Sequence, residues 1–162
     1  MSSFNLEDFR QDGSSKFSIS KAKTKIKDIY DDKEEYQEML ESSIKELDEL
    51  QNMMYAHNRY GFLIIFQALD AAGKDGTIRH VLSGVNPAGI KVHSFKRPSS
   101  IELEHDYLWR TSKELPERGT IAIFNRSYYE EVLVVKVHPD ILQNSQLLPR
   151  ELSKSPKETI ND

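Results

Sequence analysis

The chain has 162 residues, 38% hydrophobic and 30% charged, a balance that fits one compact globular domain and excludes disordered, fibrous and collagen-like classes. With 22 Lys and Arg against 26 Asp and Glu, the formal net charge of −4 gives no global signal for nucleic acid or a membrane surface. The absence of cysteine excludes disulfides and thiolate metal sites, and no run has the apolar length of a membrane span or of a signal-peptide core, so the expected compartment is the cytoplasm.

Residues 1–20 are polar and irregular, with Gly13-Ser14-Ser15 as a flexible point, and are expected to be loosely held within an N-terminal arm that spans residues 1–32. The basic strip Lys21–Lys27 is read as solvated surface. From Lys33 to about Tyr55, Tyr36, Met39, Leu40, Ile44, Leu47, Leu50 and Met54 recur at three- and four-residue steps. That spacing predicts a long amphipathic helix, which Asp31 or Asp32 can cap. Phe62–Phe66 (FLIIF) carries no charge and suits a strand buried on both faces.

Asp70-Ala71-Ala72-Gly73-Lys74-Asp75-Gly76-Thr77 follows this strand and leads into a helix predicted over Lys74–Ser83, with Ile78, Val81 and Leu82 inward. Strand, small tight turn, Gly-Lys and helix is the layout of a phosphate-binding loop. Small residues let backbone N–H groups close around phosphate oxygens, the helix N-terminus faces them, and Lys74 adds a mobile cation. The match to the G-x-x-x-x-G-K-[ST] pattern is incomplete, because Ala68 stands at the first glycine and Asp75 at the Ser/Thr. A carboxylate inside a phosphate cradle repels the ligand unless a divalent cation lies between them, so Asp70 reads as the metal-side residue of a phosphoryl-transfer site.

Beyond the loop Gly84–Gly89, Ile90–Phe95 alternates as a second strand and ends in the cations Lys96 and Arg97, candidates for a polyanion site at the strand's carboxyl end. Ser99 or Ser100 is placed to cap a helix continuing to about Leu115, with Trp109 in the core, and Pro116–Gly119 is a turn. Thr120–Phe124 is a third apolar strand. Strands separated by helices of this length predict right-handed crossovers and a parallel α/β sheet. After the third strand come Asn125, Arg126 and Glu130. Asn125 occupies the position where phosphate-loop enzymes place a metal-holding acid. Arg126 can neutralise charge developing on a transferred phosphoryl group, and Glu130 returns a carboxylate one helical turn on. The region 139–162 is polar, and no fourth strand is visible.

With these motifs in hand, the chain resembles the polyphosphate kinase 2 family. LDAAGKDGTIRHVLSGVNPAG, SFK at Ser94–Lys96, HDYLWR and FNRSYYEEVLVVKVH stand nearly as that family writes them, from about Tyr30 to His138. The resemblance implies a three-layer, phosphate-loop kinase-like parallel sheet flanked by helices, with residues 33–138 as its N-terminal part. It implies phosphoryl transfer between inorganic polyphosphate and AMP, ADP or ATP, with Mg²⁺, in a cytoplasmic homo-oligomer, without nucleic acid or membrane. Asp70 matches the catalytic, metal-associated aspartate, Lys74 the loop lysine, and Arg126 and Glu130 the second motif. Ala71, Ala72, Gly73, Lys74, Asp75, Gly76, Thr77, Lys96, Arg97, Asn125 and Arg126 are the expected phosphate and nucleotide contacts. The FNRS form, with Asn125 for the aspartate of other members, is similar to the branch acting on both AMP and ADP. Family members continue with a basic lid where this chain stops, so the fold is expected to be incomplete at its C-terminus. Two other readings are carried: an inactive, lidless fragment that binds polyanions or joins a partner, associating through the edge of Phe62–Phe66, and an ATP-driven phosphate-loop kinase of another small acceptor.

Overall fold

In the computed structural model the described residues are Glu7, 10–22, 28–69, 71–138 and Ile141. They fall into two compact units, 1–42 and 43–162. The first unit holds the 3-10 turn Ile19–Lys21 and the beginning of α1 (Lys33–His57). Asp32 caps that helix, its Oδ1 accepting from the N–H groups of Glu34 and Glu35 at 2.8 and 2.9 Å. This satisfies two of the donors that a helix start leaves orphaned.

The second unit is built on β1 (Phe62–Phe66), β2 (Ile90–Ser94) and β3 (Ile121–Asn125), joined through α2 (Lys74–Leu82), α3 (Ser100–Leu103) and α4 (Trp109–Ser112) and followed by α5 (Tyr129–Val137). The sheet is parallel in the order β1-β3-β2, as the crossover spacing predicts. Because side chains alternate across a strand, β3 feeds two clusters. Ile121 and Ile123 pack with Ile78 of α2, and Met54 of α1 lies against them. Ala122 and Phe124 pack with Phe95 on the opposite face.

The central position belongs to β3, whose Ile121–Phe124 segment is buried throughout, and not to Phe62–Phe66. The apolar run of β1 is an edge strand with Phe62 exposed, so the expectation of burial on both faces is corrected. The single helix expected from Ser99 to Leu115 is two short ones. Asp106 interrupts it, its Oδ1 accepting from the Leu108 N–H at 2.9 Å and its carbonyl from the Trp109 N–H at 2.8 Å. A short acidic side chain that hydrogen-bonds nearby backbone competes with the helix ladder. Trp109 is half-buried rather than core, sandwiched between the His105 ring at 3.9 Å and the Lys113 ammonium at 4.1 Å. Val81 and Leu50 face solvent, contrary to the helical stripes drawn for them. Among the described residues no helix is long and apolar enough to cross a membrane.

Candidate active site

The strands end level, with Phe66 and Ser94 both in register with Asn125, and the loops leaving these carboxyl ends meet at one edge. The loop after β1 turns sharply, with Ala71 at φ 61° and Gly73 at φ 89°. Gly73 caps α2 in the left-handed conformation. A Cβ there would meet nothing within 4 Å, so glycine answers a backbone requirement and not a shortage of space. The first intrahelical bond of α2 runs from the Thr77 N–H to the Gly73 carbonyl at 2.9 Å. The N–H groups of Lys74, Asp75 and Gly76 therefore remain available at the loop mouth. Lys74 folds over the same loop, its Nζ donating to the Ala68 and Leu69 carbonyls at 2.9 and 3.0 Å.

The loop after β3 is fixed differently. Arg126 has φ 66°, a conformation that costs a non-glycine residue about 1–3 kcal/mol and so marks a point the surrounding structure over-determines. Its N–H donates to the Phe66 carbonyl at 3.0 Å, extending the β1–β3 ladder by one bond. Its guanidinium stands 3.7 Å from Glu130 Oε2, while Glu130 Oε1 accepts from Gln67 Nε2 at 2.6 Å. Gln67 was not singled out in the sequence. Its signal was position, as the first polar residue after an apolar strand.

Between these loops lies a cleft of about 700 Å³. Residues 71–76 form one wall, Ser94–Arg97 another, and Asn125 and Arg126 the floor. It gathers every phosphate contact expected from the sequence except Thr77, which is exposed and turns its hydroxyl to the Gly73 carbonyl at 3.2 Å. Among the described residues, Lys74, Lys96, Arg97 and Arg126 bring four cations to it, against the Asp75 carboxylate, whose Oδ1 accepts a hydrogen bond from Asn125 Nδ2. A concave site with this balance attracts anions. Asp70 lies outside the described residues.

A second cavity of about 490 Å³ shares Phe95, Lys96, Arg97 and Arg126 with the cleft and continues toward Leu103, Arg110, Tyr128 and Glu131. Glu130 lines this cavity rather than the cleft. Burial pushes the Glu131 carboxyl above the ordinary glutamate value, opposed by Arg110 and reinforced by Glu130. Arg110, Tyr128 and Glu131 were not picked as site residues, although each stands inside a motif, HDYLWR or FNRSYYEE, that was noticed.

The oxygen donors in the cleft, the Asp75 carboxylate and the Asn125 amide carbonyl, are hard ligands. Among the described residues no three His, Cys, Asp or Glu side chains converge. That donor set suits Mg²⁺, which takes one or two carboxylates beside phosphate oxygens and water and does not need an all-protein cage.

Residues 30–155 match the family model described as Polyphosphate kinase 2. The chain belongs to the polyphosphate kinase 2 family. An ADP-polyphosphate phosphotransferase of Rhodopseudomonas palustris is 58% identical over 84% of this chain and 47% of its own length. An AMP/ADP-polyphosphate phosphotransferase of Meiothermus ruber is 52% identical over 57% of this chain and 35% of its own length. The chain thus spans about half, or less, of these curated relatives. The crystal structure of a polyphosphate kinase 2 from Arthrobacter aurescens superposes with a TM-score of 0.70 at 35% identity, covering 76% of this chain and 46% of that one. The α/β fold is therefore that of polyphosphate kinase 2, and the matched segment contains both cavities.

Proposed function

We propose that this protein transfers phosphoryl groups between inorganic polyphosphate and adenine nucleotides, acting with Mg²⁺. The observation that carries this reading is the convergence of Lys74, Lys96, Arg97 and Arg126 on the 700 Å³ cleft at the phosphate loop. A polyanion of repeating phosphates needs a row of cations, and a nucleotide alone needs fewer. The second cavity, with its apolar and aromatic lining beside Lys96, Arg97 and Arg126, suits the body of a nucleotide. Adenine is favoured because the two relatives quoted above are named for AMP and ADP.

Transfer of a phosphoryl group asks little covalent chemistry of the protein; the work is positioning and charge stabilisation. The backbone N–H groups at the start of α2 bind phosphate oxygens. Lys74 leaves the Ala68 and Leu69 carbonyls to follow the transferred group. Arg126, restrained by its backbone bond to Phe66 and by Glu130, meets the charge that develops on the equatorial oxygens. Asp75, and Asp70 by its place in the loop, would hold Mg²⁺, which when bound neutralises charge on the phosphate oxygens.

The test is ATP formation from ADP, long-chain polyphosphate and Mg²⁺, followed by luminescence. Turnover should fall about a hundredfold or more in Lys74→Ala and in Asp70→Asn. A reaction driven by ATP on a non-nucleotide acceptor, indifferent to polyphosphate, overturns the reading in favour of another phosphate-loop kinase. Full turnover by Asp70→Asn removes the metal role assigned to that carboxylate.

A further inference from the structure

Lys96 and Arg97 form the wall common to the cleft and the second cavity, yet their segment has little of its own to hold it. Among the described residues, Lys96, Arg97 and Pro98 make no backbone hydrogen bond to another main-chain group, and neither cation is ion-paired. The segment is anchored at its start, where the Phe95 N–H donates to the Asn125 carbonyl at 3.1 Å and the Phe95 ring meets Phe124 edge-on at 4.8 Å. At its end Ser99 and Glu102 form a reciprocal capping box on α3. Between these anchors stands Arg110.

The Arg110 side chain is only 11% exposed. Its Nη2 donates to the Lys96 carbonyl at 2.7 Å, and its Nε lies 3.4 Å from Glu102 Oε1, close enough for an ion pair though not aligned as a hydrogen bond. Its guanidinium lies over the Phe95 ring, 5.2 Å from the centroid. One planar group thus ties the residue before the cations, the first cation's carbonyl and the capping box beyond them. Lysine has a single ammonium and could not span these partners in one plane.

We propose that Arg110 is a positioning residue for polyphosphate binding: it acts through the Lys96 carbonyl to hold the Lys96–Arg97 segment so that both cations face the phosphate chain. The proposal rests on the phosphotransferase reading above, and the experiment separates the two. Tripolyphosphate affinity is measured by calorimetry on the full chain, on Arg110→Lys and on Arg110→Gln, each also in a background carrying Lys96→Ala and Arg97→Ala. Arg110→Lys keeps the charge without the fork, and Arg110→Gln keeps a planar donor without the charge, so a folding failure in one leaves the other. In the parent background, either variant should weaken binding about tenfold, and in the background lacking both cations the further loss should be under about twofold, because residues that act as a unit are not additive. Losses of equal size in the two backgrounds mean a merely structural Arg110 and overturn the proposal, as does unchanged affinity in the parent. A parent chain that binds no tripolyphosphate overturns the phosphotransferase reading, and this proposal with it.

Discussion

Asn125 and Asp75 meet across the floor of the cleft through an amide–carboxylate hydrogen bond. An aspartate at 125 would set two carboxylates against each other. Like charges at that spacing either hold a proton or recruit a cation. Asn125→Asp is therefore expected to melt lower than the parent in chelator, by an amount corresponding to about 1 kcal/mol, and to recover with added Mg²⁺. A melting curve indifferent to both the substitution and the metal contradicts this account. Glu131 offers a second residue-scale test. Burial raises its folded pKa above the unfolded one, so on raising the pH the unfolded chain ionises first. The stability linked to this proton is intact below the ordinary glutamate range and is lost as the pH climbs through the raised folded value. Glu131→Gln removes the titration, and its melting temperature should exceed the parent's at pH 7 but not at pH 4. An equal offset at both pH values would assign the effect to packing instead.

Among elements, α1 shows how a polar core position escapes pattern reading. Its buried residue is Gln51, 2% exposed, with Oε1 lacking a hydrogen-bond partner, whereas Leu50 beside it is 50% exposed. Gln51 seats over Gly89, where a Cβ would fall 1.5 Å from its Nε2. Gln51→Met, similar in shape and without the stranded oxygen, should raise stability by about 1 kcal/mol. Gly89→Ala should lower it by about 1–3 kcal/mol by driving that side chain out. Thermal melts of the two variants, moving in opposite directions, check the contact; movement in the same direction rejects it. The apolar-run and turn signals were sufficient for all three strands, because FLIIF, IKVHS and IAIF are short, β-rich and bounded by loops. That these residues would gather in one cleft was legible for a related reason, since they follow directly on the carboxyl ends of those strands. Arg110 and Gln67 were not legible. Arg110 reaches the site through tertiary contacts from a helix that the sequence merged with its neighbour, and Gln67 through a bond to Glu130 across 63 residues. The helix break at Asp106 depended on one side chain choosing backbone over solvent, which periodicity does not register.

At a larger scale, the sheet order leaves β1 and β2 as edges among the described residues, and the two differ in chemistry. Apolarity alone could not order the strands, since Phe62–Phe66 and Ile121–Phe124 are equally free of charge and only one can be central; the edge at Phe62–Phe66 was expected from the strand order of the resembled family, and the sheet has it. Along β2, His93 Nδ1 lies 2.9 Å from Glu114 Oε2, and Lys91 holds an ion pair with Glu117 at 3.1 Å, a charged feature of the kind by which edge strands resist pairing. Along β1 there is none: the strand reads FLIIF, and Phe62 is 56% exposed. Tyr60 just before it and Leu69 just after it are also exposed. Unpaired N–H and C=O groups beside exposed apolar side chains form a template for another strand. The chain on its own is thus expected to associate through β1, with an apparent mass in light scattering that rises with concentration. Phe62→Lys adds the missing charge at that edge and should lower the apparent mass toward the monomer, whereas Val92→Lys on β2 should leave it unchanged. A chain that scatters as a monomer at every concentration, or a Phe62→Lys variant that associates as the parent does, would remove β1 as the surface involved.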